Sequence, residues 1–167
     1  METMRAISLW QPWAELVASE QKVIEKREWK TLPISLVNQR IAIHAAARMD
    51  PAFASQSRCS ISLARLANLL GHAPILPENL FDLDFGAVVC TAKVVCARYL
   101  CRDDASYTLC DCEPTNDVPP VGLVLRHVIR VLPPLPVRGG RRIFILPATA
   151  IFRRSTRPLP FAVAVES

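Results

Sequence analysis

Lys22, Glu25 and Arg27 stand within six consecutive residues, with the apolar Val23 and Ile24 between the first two. A lysine and an arginine beside a carboxylate can do two kinds of work. As binders, the cations contact phosphate, and the carboxylate orients them or accepts a proton from an exocyclic amine. As catalysts, the lysine acts as a base or helps activate a nucleophile, and the carboxylate serves as general base for water. Trp29 follows two residues later and could stack on a nucleobase. Gln11 and Trp13 precede the set, and His44 follows it. The competing reading is a Glu25–Arg27 ion pair that only fixes the backbone, with Trp13 and His44 as ordinary core residues.

The elements that must position these groups are legible as periodicities. Residues 5–10 alternate as a strand. Pro12 suits the first turn of a helix, where its missing N–H is no loss. Trp13, Leu16 and Val17 make that helix's apolar face, which ends near Gln21. Lys22 to Trp29, if extended, sets Val23, Glu25, Arg27 and Trp29 on one face. Lys22 has the other parity, but at the helix-to-strand turn it can aim into the same space. Arg40 to Ala45 is a strand, with Ile41 and Ile43 on one face and His44 on the other. Asp50-Pro51 signals a helix start, and Ile61 to Leu70 reads as an amphipathic helix stopped by Gly71.

Gly86 to Tyr99 is the longest strand signal, with Val88, Cys90, Ala92, Val94 and Cys96 alternating on one face. Residues 101–120 read as a polar loop. Gly122 to Leu132 is a strand in which Arg126 and Arg130 share a face. Pro133 to Pro136 reads as a stiff connector. A basic turn, Arg138-Gly139-Gly140-Arg141-Arg142, leads into a last strand, Ile143 to Leu146. Many short strands and few helices predict an α+β fold, a small β-barrel with inserted helices and a mouth beside the first helix.

The charge is unevenly spread over the 167 residues, whose net charge is +5. Val118 to Val165 holds no Asp or Glu but eight arginines, among them Arg126, Arg138, Arg141 and Arg142. Arginine's planar fork suits phosphate, so this half points to a polyanionic partner; a solvated basic surface is the alternative. No apolar run is long enough for a membrane-spanning helix, and the first residues lack the layout of a secretory signal. A cytoplasmic or nuclear location with reduced thiols is expected. The six cysteines lack a standard zinc spacing. Cys90 and Cys96 read as small buried apolar groups, and no metal or cofactor is expected.

Ile7-Ser8-Leu9, Gln11-Pro12-Trp13-Ala14, Lys22-x-x-Glu25-x-Arg27-x-Trp29 and Ile43-His44-Ala45, in that order, resemble the ASCH family, the activating-signal-cointegrator homology domains. Gly86-Ala87-Val88-Val89 and Gly122-Leu123-Val124-Leu125 resemble its later strands, and the resemblance spans about residues 4–147. It implies a PUA-like β-barrel over residues 1–147, followed by a basic, then apolar, tail over 148–167. It also implies a cleft beside the first helix for RNA, another nucleic acid or a modified nucleoside. Lys22, Glu25 and Arg27 would act there, with Gln11, Trp13 and His44 lining the cleft.

Some small family members hydrolyse the acetyl amide of N4-acetylcytidine, and others are linked to RNA cleavage, so a hydrolase is the alternative. Those amidohydrolases resemble K-x-x-T-x-R, and Glu25 takes the place of their hydroxyl here. A protein-interaction adaptor using the apolar tail from Pro158 to Val165 is the third reading. Two glycines usual in the family are replaced, one by Glu20-Gln21 and one by Asn38-Gln39. The first helix is therefore expected to end without a left-handed residue.

Overall fold

The alternating stretches become strands β1 (Thr3–Gln11), β2 (Ile24–Arg27), β3 (Arg40–Met49), β4 (Ala87–Tyr99), β5 (Val121–Pro136) and β6 (Ile143–Pro147). Short helices, among them α1 (Trp13–Ala18) and α2 (Ala105–Thr108), and 3₁₀ turns at Ile34–Leu36 and Arg102–Asp104 connect them. This computed structural model describes residues 2–51, 68–69, 83–109, 118–149 and 151. The helix expected over Ile61 to Leu70 and the tail beyond 151 fall largely or wholly outside the described residues. No helix among those described is long and apolar enough to cross a membrane.

The strands form one mixed sheet in the order β2-β5-β4-β3-β1-β6. β1 and β3 are parallel, and the other pairs are antiparallel. Among the described residues no ladder joins β2 to β6, so backbone hydrogen bonding leaves the sheet open where the sequence suggested a closed barrel. The sheet is nevertheless curled. Arg27 Nη2 on β2, at one edge, donates to Ser8 O on β1 at 2.7 Å, although β5, β4 and β3 separate the two strands in the sheet order.

Each face of the sheet has its own core. Ile7, Leu9, Ile41, Ile43, Cys90, Ala92 and Leu123 pack with Ala14 and Val17 of α1 and with Leu36. On the other face Met4, Ala6, Ala42, Val88, Val131 and Leu146 pack with Ala148 and Ile151. Burying both faces explains why β3 and β4 read as nearly continuous apolar runs.

Bulges correct two expectations about faces. The register shifts between Val88 and Cys90, and Val88 joins the second core while Cys90 and Ala92 join the first. A one-residue slip exchanges the faces of a strand. β5 slips likewise between Ile129 and Arg126, around a left-handed His127 (φ 52°). Arg126 therefore lies opposite Lys93, while Arg130 reaches Glu15 of α1 at 3.2 Å. The two arginines do not share a face.

The proline run also differs from expectation, since β5 continues through Pro136, with Leu135 and Pro136 paired to Val88 and Ala87. β2 pairs with β5 only at Val121–Val124, so among the described strands β4 alone is laddered to this stretch, and prolines are tolerated where one side of a strand needs no N–H donors. The loop expected over 101–120 contains α2.

Candidate functional site

The end of α1 places the first charged residue. Gln11 Oε1 accepts the Glu15 N–H at 3.1 Å, satisfying one of the orphan donors of the first helical turn. Ala14, Leu16, Val17 and Ala18 are buried. Glu20, at φ 62°, turns the chain, its N–H bonded to Val17 O and the Lys22 N–H to Leu16 O. The helix thus ends through a left-handed residue after all, and that residue is a glutamate. Asn38, at φ 64°, fills the second absent glycine's role before β3.

Lys22 then points inward and is only 2% exposed. Its Nζ lies 3.7 Å from Glu25 Oε2, donates to Thr108 O of α2, and sits 5.4 Å from the centre of the Trp13 ring. Trp13 is pinned through Nε1 to Asp50 Oδ2 at 2.6 Å. Glu25 Oε1 lies 3.2 Å from Arg27 Nε, and Arg27 reaches Ser8 O. A charged row therefore runs from α2 through Lys22, Glu25 and Arg27 to β1. Lys22 and Glu25 are sealed, whereas the Arg27 side chain is 21% exposed and lies 5.8 Å from the Trp29 ring centre. The row opens at Arg27. The buried Arg27 Nε meets Glu25 at ion-pair distance but makes no aligned hydrogen bond.

A second polar set meets the first at Ser8. Ser8 and His44 are register partners on β1 and β3, with Ser8 Oγ 3.0 Å from His44 Nδ1. His44 Nε2 is 3.1 Å from Val137 O. A carbonyl only accepts, so Nε2 carries the proton and Nδ1 accepts from the Ser8 hydroxyl. Burial holds the imidazole below its ordinary pKa, partly offset by the Val137 bond.

Gly139 lies directly over the pair, where a Cβ would come within 2.4 Å of His44 Cε1 and 2.8 Å of Ser8 Oγ. Only glycine allows that approach. The exposed Arg138, Arg141 and Arg142 flank it.

The structure sets Lys22, Glu25 and Arg27 in one row with Trp13 beside Lys22 and Trp29 beside Arg27, but Lys22 and Glu25 are buried where the sequence suggested that they face an open cleft. It places His44 elsewhere, under the basic turn with Phe144 at its edge. Gln11 is fully buried, with both ends of its amide engaged: Nε2 donates to Asp84 O at 2.7 Å and Oε1 caps α1. It anchors the helix. Ser8 and Thr108 were missed, because their roles come from pairings 36 and 86 residues apart in the chain. Among the cysteines, Cys90 is buried, Cys96 is half-buried rather than buried, and Cys101 is exposed. Burial pushes the Cys90 thiol upward, away from the reactive thiolate.

A curled mixed sheet with one helix seated beside a buried charged row defines a fold class, and that class is the ASCH fold. ASCH from Zymomonas mobilis matches at a TM-score of 0.53 and 14% identity, over 88% of this chain and 90% of that one. A tyrosine-to-phenylalanine mutant of the Zymomonas protein matches at 0.51 and 14%, over 90% and 94%. A serine-to-alanine mutant gives 0.51 and 14%, over 90% and 92%. No family model and no curated protein matches the sequence.

Proposed function

We propose that this chain is an ASCH-type nucleic-acid-binding domain that takes one nucleotide unit, of RNA or of a modified nucleoside, at the Arg27 end of the charged row. The observation that carries this reading is Arg27 itself. Its guanidinium is partly exposed beside Trp29 and has a buried N–H without a well-aligned acceptor. That Nε stays turned to Glu25, and the exposed end of the guanidinium is what an incoming phosphate or carbonyl oxygen would meet in a charge-assisted bond. Trp29 offers a stacking face, and the basic turn brings further cations toward Ser8. The buried Lys22–Glu25 pair holds Arg27 in place.

Titration of uridine monophosphate and of a short RNA against the protein tests the reading. Arg27→Ala and Trp29→Leu are each expected to weaken mononucleotide binding about tenfold, by loss of a charge-assisted bond or of a stacking contact. Arg138→Gln weakens RNA binding more than mononucleotide binding. Unchanged mononucleotide affinity in a folded Trp29→Leu protein would sink the proposal.

A hydrolase reading has one observation in its favour. Ser8 is a hydroxyl already bonded to a neutral imidazole, the arrangement that general-base activation uses. Incubation with N4-acetylcytidine and with RNA, followed by chromatography, checks it. Product that disappears in Ser8→Ala would support it, and absence of product at every pH removes it.

A further inference from the structure

Across β3, β4 and β5, three cations face one another in register. Arg40 lies opposite Lys93, and Lys93 lies opposite Arg126. Directly opposed residues on adjacent strands share a face, and strands lie about 4.8 Å apart, so the row is about 10 Å long. Among the described residues none of the three pairs with a carboxylate, and Arg126 bonds only the neighbouring Leu125 carbonyl. Like charges placed directly opposite one another destabilise a sheet, and nothing in the described chain offsets that repulsion.

Arg40 is the most informative of the three. Its Nη1 is tied to Thr91 Oγ1 and to His127 O, each at 3.0 Å. The His127 carbonyl is delivered by the left-handed bulge in β5. Among the described residues Nη2 and Nε have no acceptor, and neither is a buried unsatisfied atom. The guanidinium is therefore held in one orientation while its second edge faces solvent. That is a prepared fork for a phosphate oxygen pair. Beside it opens a cavity of about 530 Å³, lined by Arg5, Ser35, Gln39 and Arg40, with Glu2 on its wall. Arg5 is also fixed, its Nη1 donating to Ser35 O at 2.6 Å.

We propose that Arg40, Lys93 and Arg126 form a second anion-binding strip, which takes successive phosphates of a nucleic-acid strand. A row of cations neutralises charges repeated along a chain. A phosphodiester backbone carries one at every unit, whereas a polypeptide carries them only at chosen residues. The choice of a nucleic acid as occupant rests on the function proposed above. The strip itself rests on its own register and on Arg40's free edge.

The test is anisotropy of a labelled 12-nucleotide oligouridylate between about 50 and 200 mM salt. Each phosphate contact on a single strand contributes about 0.7 to the logarithmic salt slope. The double variant Lys93→Gln, Arg126→Gln is expected to lose about 1.4 from that slope and about tenfold in affinity at low salt. Without ligand its thermal midpoint at low salt should rise by roughly 1–4 °C, because the repulsion is relieved.

An unchanged slope in the folded double variant overturns the strip. So does polyglutamate displacing the oligonucleotide as effectively at equal charge. Loss of oligonucleotide binding in Arg27→Ala with indifference to the strip variants overturns the strip and keeps the nucleotide site. The reverse pattern keeps the strip and sinks the nucleotide site.

Discussion

At the scale of single residues, the unexpected positions are two polar side chains doing a glycine's work. Glu20 and Asn38 hold φ 62° and 64°, a region where the Cβ of an L-residue crowds the following carbonyl oxygen. Asparagine tolerates it better than glutamate does. Glu20→Gly is therefore expected to stabilise the protein by about 0.5–1 kcal/mol, and Asn38→Gly by less. Urea unfolding would show a higher midpoint with an unchanged slope, and a lower midpoint for Glu20→Gly would mean that its side chain contributes more than its backbone strain costs. The sequence displayed the replaced glycines but not their consequence. Backbone conformation at a turn is imposed by the elements on either side, here α1 packed on the sheet and a Lys22 N–H fastened to Leu16 O.

At the scale of elements, α2 has a role out of proportion to its four residues. It supplies the carbonyl that holds Lys22, and it is itself held by a carboxylate. Asp104 accepts from the Arg98 guanidinium and from the Cys101 N–H, the latter at 3.0 Å. The Arg98 hydrogen bond lowers the Asp104 pKa to about 2 from an ordinary 3.8. The unfolded chain therefore binds the extra proton first, so this stabilisation is complete above about pH 4 and fades as pH falls toward 2. The Arg98 side chain is 43% exposed, which weakens the pair, so about 1–2 kcal/mol is a fair magnitude. Asp104→Asn should cost that much near pH 7 and much less near pH 2, by urea midpoints at both. An equal loss at both would assign the effect to packing instead. The sequence made residues 101–120 a polar loop, because a four-residue helix leaves almost no periodicity to read.

At the scale of the molecule, much was legible in local pattern and the rest lay in register. Val23 shows the limit: alternation set it beside Glu25, but it packs with Ile24, Leu100 and Val124, since β2 begins only at Ile24. The closeness of Lys22, Glu25 and Arg27 was readable because all three sit on one turn and the short strand that follows it. The Arg40, Lys93 and Arg126 row and the Ser8–His44 pair were not, because each depends on which strands lie side by side and on where a bulge reverses a face.

His44 makes that long-range order measurable. It ties β3 to Ser8 of β1 and to the carbonyl of Val137 beyond β5, so its protonation state is coupled to the assembled sheet. Burial is the main cause of its lowered pKa, which means that the unfolded chain takes up the proton first as pH falls. Its contribution to stability is whole above about 6.5 and declines as pH drops through that value toward the lowered folded one. The unfolding free energy should therefore fall as pH drops through about 6.5 and below. His44→Gln cannot titrate and should show a flatter curve over that range, with lower stability at the upper end. Parallel curves for the two proteins would mean that the imidazole is as free to accept a proton in the folded sheet as in the unfolded chain.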